Sequence, residues 1–135
     1  MGSYVLDTSA IMAVLLSEDG GKTAAEIFAM GETVLVPFIA MMEVEYKLAR
    51  KSREMADDGL DTVATWPIEV IESDVAWRQA AAQVKLRGRI SLGDSWVASL
   101  ALLREAVLVH KDPEFEDVEG LQELRLPYKP RARRA

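Results

Sequence analysis

The sequence has no cysteine and a single histidine, His110, in 135 residues. Without thiols there are no disulfides, zinc–thiolate sites or thiol catalysis. One histidine excludes any mechanism that needs two in one chain, including two-histidine helical zinc motifs. Long hydrophobic runs are missing as well. The longest clean ones, residues 10–16 and 96–103, fall well short of the roughly 20 residues that span a bilayer. No basic-then-apolar leader opens the sequence, and its sixth position is Leu6 where a myristoylation signal has Ser or Thr. The expectation is a cytoplasmic protein, with Gly2-Ser3 either native or a cloning remnant. Positive charge is also in deficit: 16 basic residues against 22 acidic give a net charge of −6. A nucleic-acid binder that relies on a broad basic surface is therefore not expected, because neutralising phosphates needs a Lys/Arg footprint. A nucleic-acid partner would have to be attracted locally or through bound cations.

The composition is 50% hydrophobic and 28% charged, which suits one globular domain with a real core. Short apolar runs alternate with helical patterns along the chain. Residues 33–36 and 106–109 read as buried strands, 4–6 and 68–71 as further strands, and 121–126 as an edge strand. Helical patterns cover 9–16, 23–30, 39–50, 74–87 and 92–104, while 51–61 is a polar run. Strands apolar on both faces and separated by helices predict a three-layer α/β/α domain with a short central parallel sheet. The expected domain spans residues 1–126, followed by a flexible basic tail, 127–135, carrying Lys129, Arg131, Arg133 and Arg134.

Four acids stand out against this frame. Ligands of an open parallel sheet bind outside the carboxyl ends of its strands, near the point where strand order reverses. Asp7 ends the first strand and Asp112 follows the strand 106–109, so both are expected in one crevice. Asp94 lies near the start of the helix 92–104, where Ser91 and Asp94 also read as a capping box. Glu43 borders the apolar side of its helix, as does Glu45; the residues alone do not separate them, and Glu43 also reads as an i,i+4 partner of Lys47. Carboxylates without thiols or paired histidines suit a hard cation, Mg²⁺ or Mn²⁺. Such an ion activates water against phosphate esters and turns an acidic pocket attractive to a polyanion.

Four segments together resemble the PIN-domain family: Tyr4-Val5-Leu6-Asp7-Thr8-Ser9-Ala10, Met42-Glu43-Val44-Glu45-Tyr46-Lys47-Leu48, Ser91-Leu92-Gly93-Asp94-Ser95-Trp96-Val97-Ala98 and Val107-Leu108-Val109-His110-Lys111-Asp112-Pro113-Glu114-Phe115. Each is weak alone; four in order, spanning nearly the whole chain, are fairly specific. The resemblance implies a PIN-like fold and a VapC-like toxin of a toxin–antitoxin pair. Such a toxin is a metal-dependent endoribonuclease, a homodimer, and neutralised by a cognate antitoxin. It also implies that Asp7, Glu43, Asp94 and Asp112 are the catalytic, metal-coordinating carboxylates, selecting Glu43 over Glu45, and that Ser9 orients a ligand or carboxylate. Where the family has Thr or Ser before its fourth acid, this sequence has His110. That histidine reads as a satisfied residue, a replacement for the hydroxyl, or an aid to positioning substrate phosphate. Glu114 or Asp117 is the alternative to Asp112 as fourth acid.

Two basic clusters, Lys47/Arg50/Lys51/Arg53 and Lys85/Arg87/Arg89, flank these motifs and read as solvated helix ends or as a phosphate track for RNA. The helices 9–30 and 39–50, rich in Met, are the expected antitoxin groove by analogy with the family. Other classes fit less well. A haloacid-dehalogenase-like phosphatase needs a second Asp where Ser9 stands, and a receiver domain needs its acceptor Asp at a strand end. A PIN-like scaffold that binds without cutting is the remaining alternative.

Overall fold

The computed structural model describes residues 2–128; residues 129–135, most of the expected basic tail, lie outside the described part. The chain runs β1 (Ser3–Leu6), α1 (Thr8–Leu15), α2 (Gly21–Phe28), β2 (Thr33–Pro37), α3 (Phe38–Ala49), α4 (Arg53–Val63), β3 (Glu69–Ile71), α5 (Val75–Arg87), α6 (Leu92–Leu103), β4 (Val107–His110) and β5 (Gln122–Arg125), with a 3₁₀ turn, Pro113–Asp117, between the last two strands. The five strands form one parallel sheet in the order β3-β2-β1-β4-β5. The first strand is thus central, and the chain grows outward on either side of it.

The period-2 alternation of the strands divides the core between two layers. Leu6, Val34, Val36 and Val109 face Ile11, Ile27, Val44 and Leu48 on the side of α1 to α4. Val5, Leu35 and Leu108 face Trp77, Val97, Leu100 and Phe115 on the side of α5 and α6. Strands buried on both faces need continuous apolar sequence, which is why β1, β2 and β4 are legible as short unbroken runs.

The polar run 51–61 departs from expectation, since most of it is α4. Ser52 starts this helix by accepting the Met55 N–H at 3.1 Å, and it is anchored only by buried Ala56 and Val63. Gly59 lets it lie close on α3, where a Cβ would sit 2.5 Å from Leu48 Cδ1. A helix held by so few small apolar residues leaves little periodic signal.

Candidate active site

β1 and β4 are parallel neighbours that end together, Leu6 opposite Val109. The Asp7 N–H continues the pairing by donating to the Val109 carbonyl at 3.1 Å. Asp7 then starts α1: its Oδ2 accepts from the Ser9 hydroxyl at 2.7 Å and from the Ser9 N–H at 3.3 Å. The same hydroxyl accepts the Lys111 N–H at 2.9 Å, so Ser9 ties the end of β1 to the chain leaving β4. Asp112 follows, and its Oδ1 accepts the Glu114 N–H at 2.9 Å. With Pro113 at the first helical position, this Asx turn opens the 3₁₀ segment.

At the start of α6, Ser91 accepts the Asp94 N–H at 3.2 Å, half of the expected capping box. The other half is not formed by Asp94. The Ser91 N–H donates to the Glu114 carboxylate instead, which leaves the Asp94 side chain facing its acidic neighbours. Asp94, Asp112 and Glu114 each place one oxygen within 4.8 Å of the others. Glu114 therefore joins Asp112 rather than replacing it, and Asp117 is exposed and outside the group.

Glu43 comes to the site along α3. Its Oε1 would lie 3.3 Å from a Cβ built on Gly93, so the glycine of the Asp94 motif is the space into which this carboxylate fits. Gly93→Ala is expected to push Glu43 aside by a few tenths of an ångström and slow a reaction at this site about tenfold, since a 1 Å misplacement can cost ~10²-fold. Stability should change by less than the about 0.8–1.0 kcal/mol that favours Ala over Gly in a helix interior, because Gly93 is the second residue of α6 and the added methyl must displace the Glu43 carboxylate. Thermal melts and reaction rates on one preparation check both halves; an unaltered rate would remove Glu43 from the site.

The electrostatics bind five acids into one unit. Burial, more than any other cause, raises Asp7 above the ordinary carboxylate range; its Ser9 and Thr8 hydrogen bonds oppose this and the Asp112 charge adds to it. Glu43 is also raised, by burial and then by Asp7, against the opposing charge of Lys47. Its i,i+4 neighbour thus does not dominate it. Asp94 is pushed up to about 8 by burial, by its hydrogen bond with Glu114, and by the charges of Asp7, Glu114 and Asp112. Carboxylates that repel one another without thiol or imidazole donors suit a hard divalent cation, which removes the repulsion by binding. The residues present fit Mg²⁺ or Mn²⁺. Beside them the buried Thr8 hydroxyl has no hydrogen-bond partner among the described residues.

Other expected site residues fall differently. His110 is fully buried with both ring nitrogens engaged, by the Asp112 N–H and by Glu123; no nitrogen is left for a substrate phosphate, and that expectation is corrected. Arg87 and Arg89 are exposed and line a cavity of about 420 Å³ together with Glu114. Lys85 is spent on the Ile90 carbonyl at 2.7 Å, and Arg53 is paired with Glu45 and Asp57. Both basic clusters are thus smaller than the sequence suggests. Met12 and Ile27 are core, whereas Met30 and Met42 are exposed.

With this geometry in place, the family model for the PIN domain matches residues 4–121. The chain belongs to the PIN-domain family. Solved PIN-domain structures share its fold over nearly the full length. A chain of the DNA-bound VapBC2 structure from Rickettsia felis is 20% identical, covers 93% of this chain and 99% of its own, and superposes with a TM-score of 0.79. VapBC-1 of nontypeable Haemophilus influenzae gives 22% identity, 91% and 97% coverage and a TM-score of 0.73. VapC20 of Mycobacterium tuberculosis, a sarcin–ricin loop-cleaving toxin, gives 16% identity, 92% and 99% coverage and a TM-score of 0.73. At these identities the likeness carries the PIN fold and no more. No curated protein matches the sequence.

Proposed function

We propose that this PIN domain is a metal-dependent endoribonuclease and the toxin of a toxin–antitoxin pair. The observation that carries the reading is the convergence of Asp94, Asp112 and Glu114 oxygens within 4.8 Å, beside the strand end that holds Asp7. Asp94, Asp112 and Glu114, with Asp7 adjacent, would hold Mg²⁺ or Mn²⁺. A divalent ion there supplies Lewis acidity and offsets the charge of a phosphodiester. The chain's own residues do the rest. Glu43, whose proton affinity is raised, is suited to orient the attacking water and take its proton. Ser9 keeps Asp7 and the Asp112 segment in register. Arg87 and Arg89, on the cavity that Glu114 also lines, meet the phosphates flanking the cut.

The solved relatives include VapBC complexes and a toxin that cleaves the sarcin–ricin loop, which supports an RNA substrate and a cognate antitoxin. The groove for the antitoxin lies among α1, α3 and α4, a cavity of about 310 Å³ lined by Val14, Leu15, Leu48, Met55 and Trp66. α4, hidden in the polar run, supplies one wall of it. The exposed Leu86 and Leu92, at 79% and 72%, bracket an apolar face for a second copy. No helix among the described residues is long and apolar enough to cross a membrane, and an RNA substrate would be met in the cytoplasm.

Mapping of 5′ ends in total RNA tests the reading, with purified antitoxin-free protein in Mg²⁺ or Mn²⁺, in chelator, and with Asp7→Asn alongside. New ends that need both the metal and Asp7 are expected. Ends that persist in chelator or in Asp7→Asn, or no ends from folded protein, would sink it.

A further inference from the structure

We propose that His110 is a positioning residue for Asp112: its Nδ1 holds the Asp112 amide, and Glu123 holds the ring in the one tautomer able to do so. The inference rests on the proposed site only in taking Asp112 as one of its acids. His110 ends β4 and is fully buried. Its Nδ1 accepts the Asp112 N–H at 3.0 Å. A nitrogen that accepts carries no proton, so the ring N–H sits on Nε2, which lies 2.8 Å from Glu123 Oε1. The opposite tautomer would set N–H against N–H at Asp112 and a lone pair against the carboxylate.

The far side of this relay is equally fixed. Glu123 lies on β5, and Arg125 grips both its oxygens at 3.1 and 3.4 Å while also reaching Glu116 at 3.1 Å. Burial would raise Glu123, but the hydrogen bonds from Arg125 and His110 outweigh it and hold the carboxylate below its ordinary range. Ionised, it accepts the hydrogen bond from Nε2–H. Phe115 packs its ring against the imidazole at 4.9 Å between centroids, fixing the plane. The edge strand thus reaches through one imidazole to the backbone of Asp112, one bond away from the side chain that meets Asp94 and Glu114. Accepting an amide two residues on is what an Asn, Ser or Thr side chain does in an Asx or ST turn. Here a ring does it, and unlike a hydroxyl it has a second nitrogen through which β5 takes part. Outer partners of this kind set ligand orientation, and their loss costs about 10- to 100-fold in metal affinity or activity.

The first test uses metal-free wild-type protein. Ring ¹⁵N shifts should show the Nε2–H tautomer, and the Asp112 amide should exchange slowly; an Nδ1–H tautomer or a freely exchanging amide overturns the proposal. Two variants then separate positioning from packing. His110→Asn keeps an acceptor in the place of Nδ1 but cannot reach Glu123, whereas His110→Gln reaches toward Glu123 with nothing at Nδ1. The Asn variant should keep Asp112 amide protection and most of the cleavage rate. The Gln variant should lose the protection, and its kcat should fall about 10- to 100-fold with KM unchanged. Equal losses in both, tracking their melting temperatures, would mean that His110 only fills space. Should the variants not fold, the wild-type tautomer still decides. If wild-type protein cuts no RNA, the functional reading fails, while the tautomer and exchange results judge this one separately.

Discussion

Asp94→Asn is expected to leave a folded protein that cuts RNA about 10³-fold more slowly or worse. The stabilisation a divalent ion gives a reacting phosphate is worth several kcal/mol, and each 1.36 kcal/mol is a factor of ten. Asp94 is the acid on which the others converge: Glu114 hydrogen-bonds to it, and the charges of Asp7 and Asp112 bear on it. Asn keeps the shape and the Ser91-capped amide, so the helix start survives. It removes the negative charge, so the metal-free variant should melt higher than the wild type near pH 8 and near-identically at about pH 4. Single-turnover cleavage and melting curves at two pH values read both effects. Wild-type cutting by Asp94→Asn would dismiss the acidic cluster as the reaction centre. A melting temperature unaffected at pH 8 would show instead that Asp94 is not strained by its neighbours.

The second large effect is an opposition between pH and metal. A carboxylic acid whose folded value is raised from 3.8 to about 8, as at Asp94, binds more protons in the native than in the unfolded state between those limits. Its contribution to stability is complete below the unfolded value and is lost as pH climbs through the folded one. Asp7 and Glu43, raised in the same direction, add to the slope. In chelator, the melting temperature should therefore fall from about pH 4 to about pH 8. Metal ligands must be deprotonated to bind, so the increment from Mn²⁺ should grow over the same range. At a hundredfold excess over its dissociation constant the ion is worth about 2.7 kcal/mol, or several degrees for a chain of this size. Paired melts in chelator and Mn²⁺ check this. Parallel curves, with no growth of the increment, would mean that the ion binds elsewhere.

The fold was legible because its decisive strands are buried on both faces. β1, β2 and β4 have to be apolar without interruption, and the acids at their ends follow from the parallel order alone. Asp7 and Asp112 were placed together by that reasoning, and the structure brings their strand ends side by side. α4 was missed because Ala56 and Val63 are too sparse an apolar face among charges. Glu114 appeared only as a substitute for Asp112, since the capping pattern at Ser91 hid that its N–H would be met from a distant turn. Nothing local marks Gly93 as the cleft for Glu43, because that contact joins helices about fifty positions apart in the chain. His110 could be read as satisfied but not as satisfied by what, because its partner Glu123 belongs to an edge strand with a polar sequence.

The central strand is the first to be synthesised, but its neighbour β4 is among the last, and the acids they carry meet only when that pairing is made. A chain still emerging from the ribosome can form β1 and β2 early and assemble the helices around them, since domains acquire structure as they are made. It cannot bring Asp112 and Glu114 beside Asp94 until residues 107–114 are free, and β5 must dock before His110 finds Glu123. The circuit closes only when β4 and β5 have both docked. The acidic cluster is therefore a late product of folding, dependent on the docking of β4 and fixed only when β5 has joined the sheet.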